Sequence, residues 1–82
     1  MSKEPIYYGV DLEKTGKNIS RLRMAKGMSV KDIQESLGLA GPGAAYKWER
    51  GESAPSLEHL RVLNQIFGEH IEDIVIWVSR GS

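Results

Sequence analysis

At 82 residues, with no cysteine and with 11 basic side chains matched by 11 acidic ones, the chain has room for one small domain. Disulfides, zinc–thiolate sites and cysteine nucleophiles are excluded, and the lack of cysteine suits a reducing cytoplasm. No apolar run nears the roughly 20 residues of a membrane span, and the opening MSKEPIYYGV lacks the long apolar centre of a secretory signal. A cytoplasmic protein away from membranes is expected. The neutral balance conceals an asymmetry: residues 1–16 carry −1, residues 17–50 carry +4 and residues 51–82 carry −3. A basic middle is compatible with one face that meets a polyanion, and equally with ordinary solvated helix faces.

The first helix is expected from about Asp11 to Lys26, with Ile19, Leu22 and Ala25 at helical spacing toward the core. Its start is ambiguous, because Thr15 can also serve as an N-cap. The second runs over Ser29–Leu37. Ser29 caps it, Asp32 returns the bond as a capping box, and Val30, Ile33 and Leu37 make the apolar stripe. The third opens on GPGAAYKWERG, a run that looks ill-suited to a helix until proline's preference is considered. Proline is at home at the first helical position, where its missing N–H has no partner to lose. Pro42 therefore starts this helix, with Gly41 at the cap, Ala45 and Trp48 inward, and Tyr46, Lys47 and Arg50 elsewhere. Ser56 caps a fourth helix carrying Leu57, Leu60, Leu63, Ile66 and Phe67. A fifth runs from about Ile71 to Ile76, with Glu72 and Asp73 in its first turn, where the helix dipole favours negative charge. Gly27, Gly38, Gly51 and Gly68 each follow one of the first four segments, as glycine past a helix C-terminus should. Beyond the fifth, IVIWV turns β-like. The fold class is all-α: five short helices in one compact domain, with no strand–helix alternation to suggest a parallel sheet. The expected organisation is an arm over 1–10, the helical domain over 11–76 and a tail over 77–82.

Two short helices separated by only GLAG have the geometry of a helix-turn-helix, whose second helix can lie in the DNA major groove. Many small helical domains contain such a corner, so spacing alone leaves the matter open. The wider pattern is more specific. LR at Leu22-Arg23, KGMS at Lys26–Ser29, LG at Leu37-Gly38, WERG at Trp48–Gly51 and PSLEHL at Pro55–Leu60 occur in one order. With IEDIV after them, these pieces resemble the XRE family of lambda-repressor-like (Cro/repressor-type) helix-turn-helix domains, over roughly residues 15–76.

The resemblance implies a compact five-helix domain that binds double-stranded DNA through its third helix, as a dimer on a pseudo-palindromic site, and regulates transcription, as a repressor. It implies a partly buried ion pair between Arg23 and Glu49, a scaffold feature, since a charge near the core tolerates burial only when paired. Trp48 is likewise core. Ser29, Val30 and Lys31 match the start of helix two, which approaches a phosphate in the family. Pro42, Gly43, Ala44, Tyr46 and Lys47 match the groove-facing part of helix three. The family commonly has glutamine at the positions of Val30 and Gly43, and a glycine cannot make the bidentate base contact of a glutamine. Base reading is therefore expected from Tyr46, Lys47 and DNA shape, with Arg50, Ser53, Lys17 and Asn18 as phosphate contacts.

Other chemistry is thin. GPGAAY lacks the third glycine and the preceding strand of a phosphate loop. His59 and His70 are lone histidines without convergent ligands, so no metal, no cofactor and no catalytic site are expected. Ile76, Trp77 and Val78 cannot all face one small core, which suggests a homodimer contact with the arm containing Tyr7 and Tyr8, or packing over helix five. The alternative function is a protein-interaction module on the same fold, such as an antitoxin-like partner-binding protein.

Overall fold

The structure, a computed structural model, describes residues 9–41 and 43–78. Five helices follow one another: α1 Leu12–Ala25, α2 Val30–Ser36, α3 Gly43–Glu49, α4 Leu57–Phe67 and α5 Ile71–Ile74. The expected role of Pro42 as helix opener and the expected contacts of Tyr7 and Tyr8 lie outside the described residues.

Local chemistry sets the boundaries. Asp11 is the N-cap of α1, accepting the Lys14 backbone N–H at 3.0 Å. Thr15 is not a cap. It is buried one turn later, where its hydroxyl donates to the Ile76 carbonyl at 3.2 Å and accepts the Ile76 N–H at 2.8 Å. At α2 the capping box is complete: Asp32 N–H donates to Ser29 Oγ at 3.0 Å, and Ser29 N–H donates to the Asp32 carboxylate at 2.8 Å. Ser56 caps α4 by accepting the His59 N–H at 3.2 Å. Gly27, Gly38, Gly51 and Gly68 all have left-handed backbones, with φ between 68° and 79°.

The core is built from one or two faces of each helix: Ile19 and Leu22 of α1, Val30 and Ile33 of α2, Ala45 and Trp48 of α3, Leu60, Leu63 and Phe67 of α4, then Ile74 and Val75. One expected core position, Ala25, is exposed, and so is the first leucine of α4. Ala25 lies off the stripe Thr15–Ile19–Leu22, whose next position is Lys26, already the C-cap. Leu57 is 67% exposed, because the buried stripe of α4 begins one turn later at Leu60.

The fifth helix is shorter than the expected Ile71–Ile76. Val75 leaves it with an extended backbone (φ −88°, ψ 127°), and residues 76–78 run antiparallel to residues 9–11. Val10 and Trp77 form an isolated bridge; Asp11 N–H donates to Ile76 O at 2.7 Å and Val78 N–H to Gly9 O at 2.9 Å. The run of β-branched and aromatic residues favours extended backbone. The N-terminal segment supplies the partners such a backbone needs.

Candidate nucleic-acid interface

Helix α3 is held from two sides. Against α1 the approach is so close that a Cβ on Gly16 would stand 2.2 Å from the Trp48 carbonyl oxygen. On the same side, Arg23 of α1 reaches Glu49 in a forked pair: Nε donates at 2.7 Å and Nη2 at 3.0 Å to the two carboxylate oxygens. The pair is largely desolvated, the two side chains being 14% and 13% exposed. The hydrogen bond to Glu49 holds the Arg23 guanidinium above its ordinary range. Its remaining Nη1 donates to Met28 O at 2.8 Å, directly before the α2 cap. One guanidinium thus connects α1, the loop into α2 and the end of α3. Below, His59 of α4 sets its ring 5.5 Å from the buried Trp48 ring.

The turn between α2 and α3 is similarly restrained. Gln34 Nε2 donates to the Leu39 carbonyl at 2.8 Å, and Leu39 N–H returns to Gln34 O at 3.0 Å. Leu37 and Leu39 pack against the core.

With Ala45, Trp48 and Glu49 turned inward, helical periodicity gathers Gly43, Tyr46, Lys47 and Arg50 at i, i+3, i+4 and i+7 into one stripe. All four are exposed. Tyr46 is 47% exposed. Lys47 has no ion-pair partner among the described residues, whereas Arg50 is paired with Glu52: its Nε donates at 2.7 Å, pulling that carboxyl below its usual range.

The other expected contact residues are less uniformly placed. Lys31 is exposed near the start of α2, where Ser29 is occupied as the cap and Val30 is buried in the core, leaving only its backbone for any partner. Ala44 is half-buried and packs inward, and Ser53 is half-buried in the loop after α3. Pro42 lies outside the described residues. Asn18 lies about 200° around α1 from Gly16 and serves the fold: its amide donates to the carbonyls of Asp73 and Ile74 at 2.7 and 3.0 Å. Its oxygen accepts from Arg21. Lys17 is exposed, 3.8 Å from Glu13. The structure therefore brings together the stripe on α3 but sets Asn18 toward α5.

Sequence reasoning missed the Asn18 and Thr15 links, because both join residues more than 50 positions apart and no local pattern marks them. Among the described residues no group of His, Cys, Asp and Glu is placed to hold a metal, and no helix is long and apolar enough to cross a membrane.

Comparison with known proteins agrees with this geometry. The family model described as Helix-turn-helix matches residues 19–74. Among solved structures, the restriction-modification controller protein C.AhdI from Aeromonas hydrophila is similar at 28% identity and TM-score 0.69, over 78% of this chain and 96% of that one. The clp gene regulator ClgR from Corynebacterium glutamicum is similar at 24% identity and TM-score 0.70, over 83% of this chain and 71% of that one. The DNA-binding domain of BldD superposes with TM-score 0.65 at 21% identity, over 79% of this chain and 93% of that one. No curated protein matches the sequence.

Proposed function

The chain belongs to the XRE-type helix-turn-helix family, and from that premise we propose that it is a cytoplasmic regulator of transcription, a repressor that binds double-stranded DNA sequence-specifically with α3 in the major groove. The observation that carries the reading is the stripe on α3. Gly43, Tyr46, Lys47 and Arg50 face solvent together, on a helix whose other side is clamped by Trp48 and by the Arg23–Glu49 fork. A short, rigidly held helix with one free face suits a groove about 12 Å wide. The likeness to C.AhdI, a restriction-modification controller protein 28% identical to this chain, supports a regulatory role.

In this reading Tyr46 and Lys47 touch bases or phosphates, and Lys31, Arg50, Ser53 and Lys17 supply backbone contacts. The protein acts as a homodimer through Ile76, Trp77 and Val78. Trp77 is 55% exposed and Val78 38%, more apolar surface than three consecutive residues of a small monomer need to show. A symmetric dimer would set its two α3 helices about 34 Å apart, one turn of DNA.

The test is fluorescence anisotropy against the DNA upstream of its own gene and against a scrambled duplex, at two salt concentrations. Preference for the native sequence, with affinity falling as salt rises, is expected. Lys47→Ala and Tyr46→Ala should each weaken binding to the preferred duplex by about 1–3 kcal/mol if they read a base, or lower the salt slope by about 1 if Lys47 meets a phosphate. Unchanged affinity in both variants refutes the assignment.

A protein-interaction module is the second reading, favoured by one observation. Arg50 is neutralised by Glu52, so Lys47 is the one unpaired cation of the α3 stripe among the described residues. Equal weak binding to both duplexes, or none, would select this reading.

A further inference from the structure

The C-terminal end of α3 has a fixed geometry. Gly51 turns left-handed at φ 79°, and its N–H donates to the Trp48 carbonyl at 3.1 Å. The next N–H, from Glu52, returns to the Lys47 carbonyl at 2.8 Å. This pair of bonds is a Schellman closure, which ties the residue after the glycine back onto the last helical turn. The glycine is also packed against α1, where a Cβ on it would stand 3.0 Å from the Glu13 Cα. The fold therefore sets the backbone of Glu52, which leaves its carboxylate beside Arg50. Both oxygens take the guanidinium fork: Nε donates to one at 2.7 Å and Nη2 to the other at 3.4 Å. The hydrogen bond from Arg50 holds the Glu52 carboxyl below its usual range, so it is ionised at neutral pH. Half or more of each side chain stays in water, 57% of Arg50 and 50% of Glu52. An ion pair so exposed adds little to stability. Its chemistry is more telling, because a carboxylate and a phosphate present the same pair of oxygens to an arginine fork.

We propose that the Glu52 carboxylate is an internal stand-in for a DNA phosphate: it fills the Arg50 fork in the free protein and must be displaced before that guanidinium can hold the duplex backbone. The inference rests on the DNA-binding reading, which gives Arg50 a backbone contact. Arg50 lies on the exposed stripe of α3 with Lys47, so a phosphate that approaches the stripe meets the carboxylate first. The approach is opposed twice, once by repulsion between like charges and once by the ion pair that must open. A neutral pair also has no net charge with which to displace the counterions of the duplex, so the protein binds as though it carried one cation fewer. Phosphate contacts are made on DNA of any sequence. Glu52 is thus an autoinhibitory contact that lowers affinity for every duplex, and α3 keeps its full cationic strength in reserve behind one exposed carboxylate.

The experiment uses the full chain, the duplex it prefers and a scrambled duplex, with anisotropy titrations across a series of salt concentrations. Glu52→Gln keeps the shape of the side chain and the backbone N–H that closes α3, and it should melt with wild type. It is expected to bind both duplexes about three- to fivefold more tightly, the worth of the exposed pair it removes. Its plot of log affinity against log salt should be steeper by about 0.9, one phosphate. In an Arg50→Ala background the same exchange should change affinity less than about twofold and leave the slope where it was. Affinity or slope that does not move in Glu52→Gln overturns the proposal, and so does weaker binding. An equal gain in the Arg50→Ala background also overturns it, because the gain then reports only the loss of a negative charge near DNA. The DNA-binding reading is judged separately: if neither wild type nor Glu52→Gln binds any duplex, that reading fails and this inference falls with it.

Discussion

Gly16→Ala separates the effect of helix propensity from that of close packing. In an exposed helix interior, glycine to alanine stabilises by about 1 kcal/mol. Gly16 is in the second turn of α1 but is buried against α3, where a Cβ would lie 2.2 Å from the Trp48 carbonyl oxygen and 2.9 Å from that of Glu49. Even close C···O contacts need about 3.3 Å, so the two helices must separate by about 1 Å. The obstructing atoms are backbone and cannot rotate away. The Trp48 carbonyl already accepts the Gly51 N–H at 3.1 Å, and the Glu49 side chain is anchored by Arg23. Overpacking of this kind costs about 1–3 kcal/mol, and rigid neighbours put it at or above the upper end. A net loss of about 2 kcal/mol remains after the gain in propensity, which lowers Tm by about 10 °C in a domain of this size. Thermal unfolding followed by circular dichroism measures it, with Gly43→Ala as the opposite case. A Gly16→Ala protein that melts at or above the wild-type temperature would refute the close-approach argument.

Glu49→Ala strands the Arg23 guanidinium in a largely desolvated position, with only the Met28 carbonyl left as partner. Urea unfolding should show a loss of about 3 kcal/mol, and the double variant Arg23→Met with Glu49→Leu should recover much of it; a loss below about 0.5 kcal/mol would mean the pair behaves as a surface bridge. Asp32 has its carboxyl held below the ordinary 3.8, first by the Ser29 backbone N–H and then by the Ser29 hydroxyl. Its folded pKa is depressed, so its contribution is complete at neutral pH and is lost as pH falls through the unfolded and then the folded value. Asp32→Asn should therefore be less stable than wild type at pH 7, with the gap closing on acidification; a gap independent of pH would remove the ionised cap from the account. Trp77→Glu should remain monomeric in sedimentation at concentrations where the wild type dimerises, and wild-type protein that stays monomeric at high concentration rejects the dimer contact.

Most of the helical frame was legible in the sequence because it depends on short-range chemistry. Ser29 with Asp32, Ser56, and glycines past the ends of the first four segments mark helix boundaries through bonds that span three or four residues. Spacing alone assigned Ile19, Leu22, Ile33, Trp48 and Leu63 to the interior. The same logic failed at Ala25, where periodicity runs on past the edge of the core and only packing shows where that edge lies. The Arg23–Glu49 fork followed from family resemblance, since nothing local joins residues 26 apart. The end of α5, the pairing of Val10 with Trp77 and the two anchors from Thr15 and Asn18 were decided by tertiary structure. Each satisfies a backbone group on one end of the chain with a partner from the other. Gly16 and Gly43 show the division most plainly. As letters in the sequence they are the same residue, both at helical positions. Only the surroundings, a carbonyl 2.2 Å from where a side chain would start or open space, decide that one glycine serves the fold and the other does not.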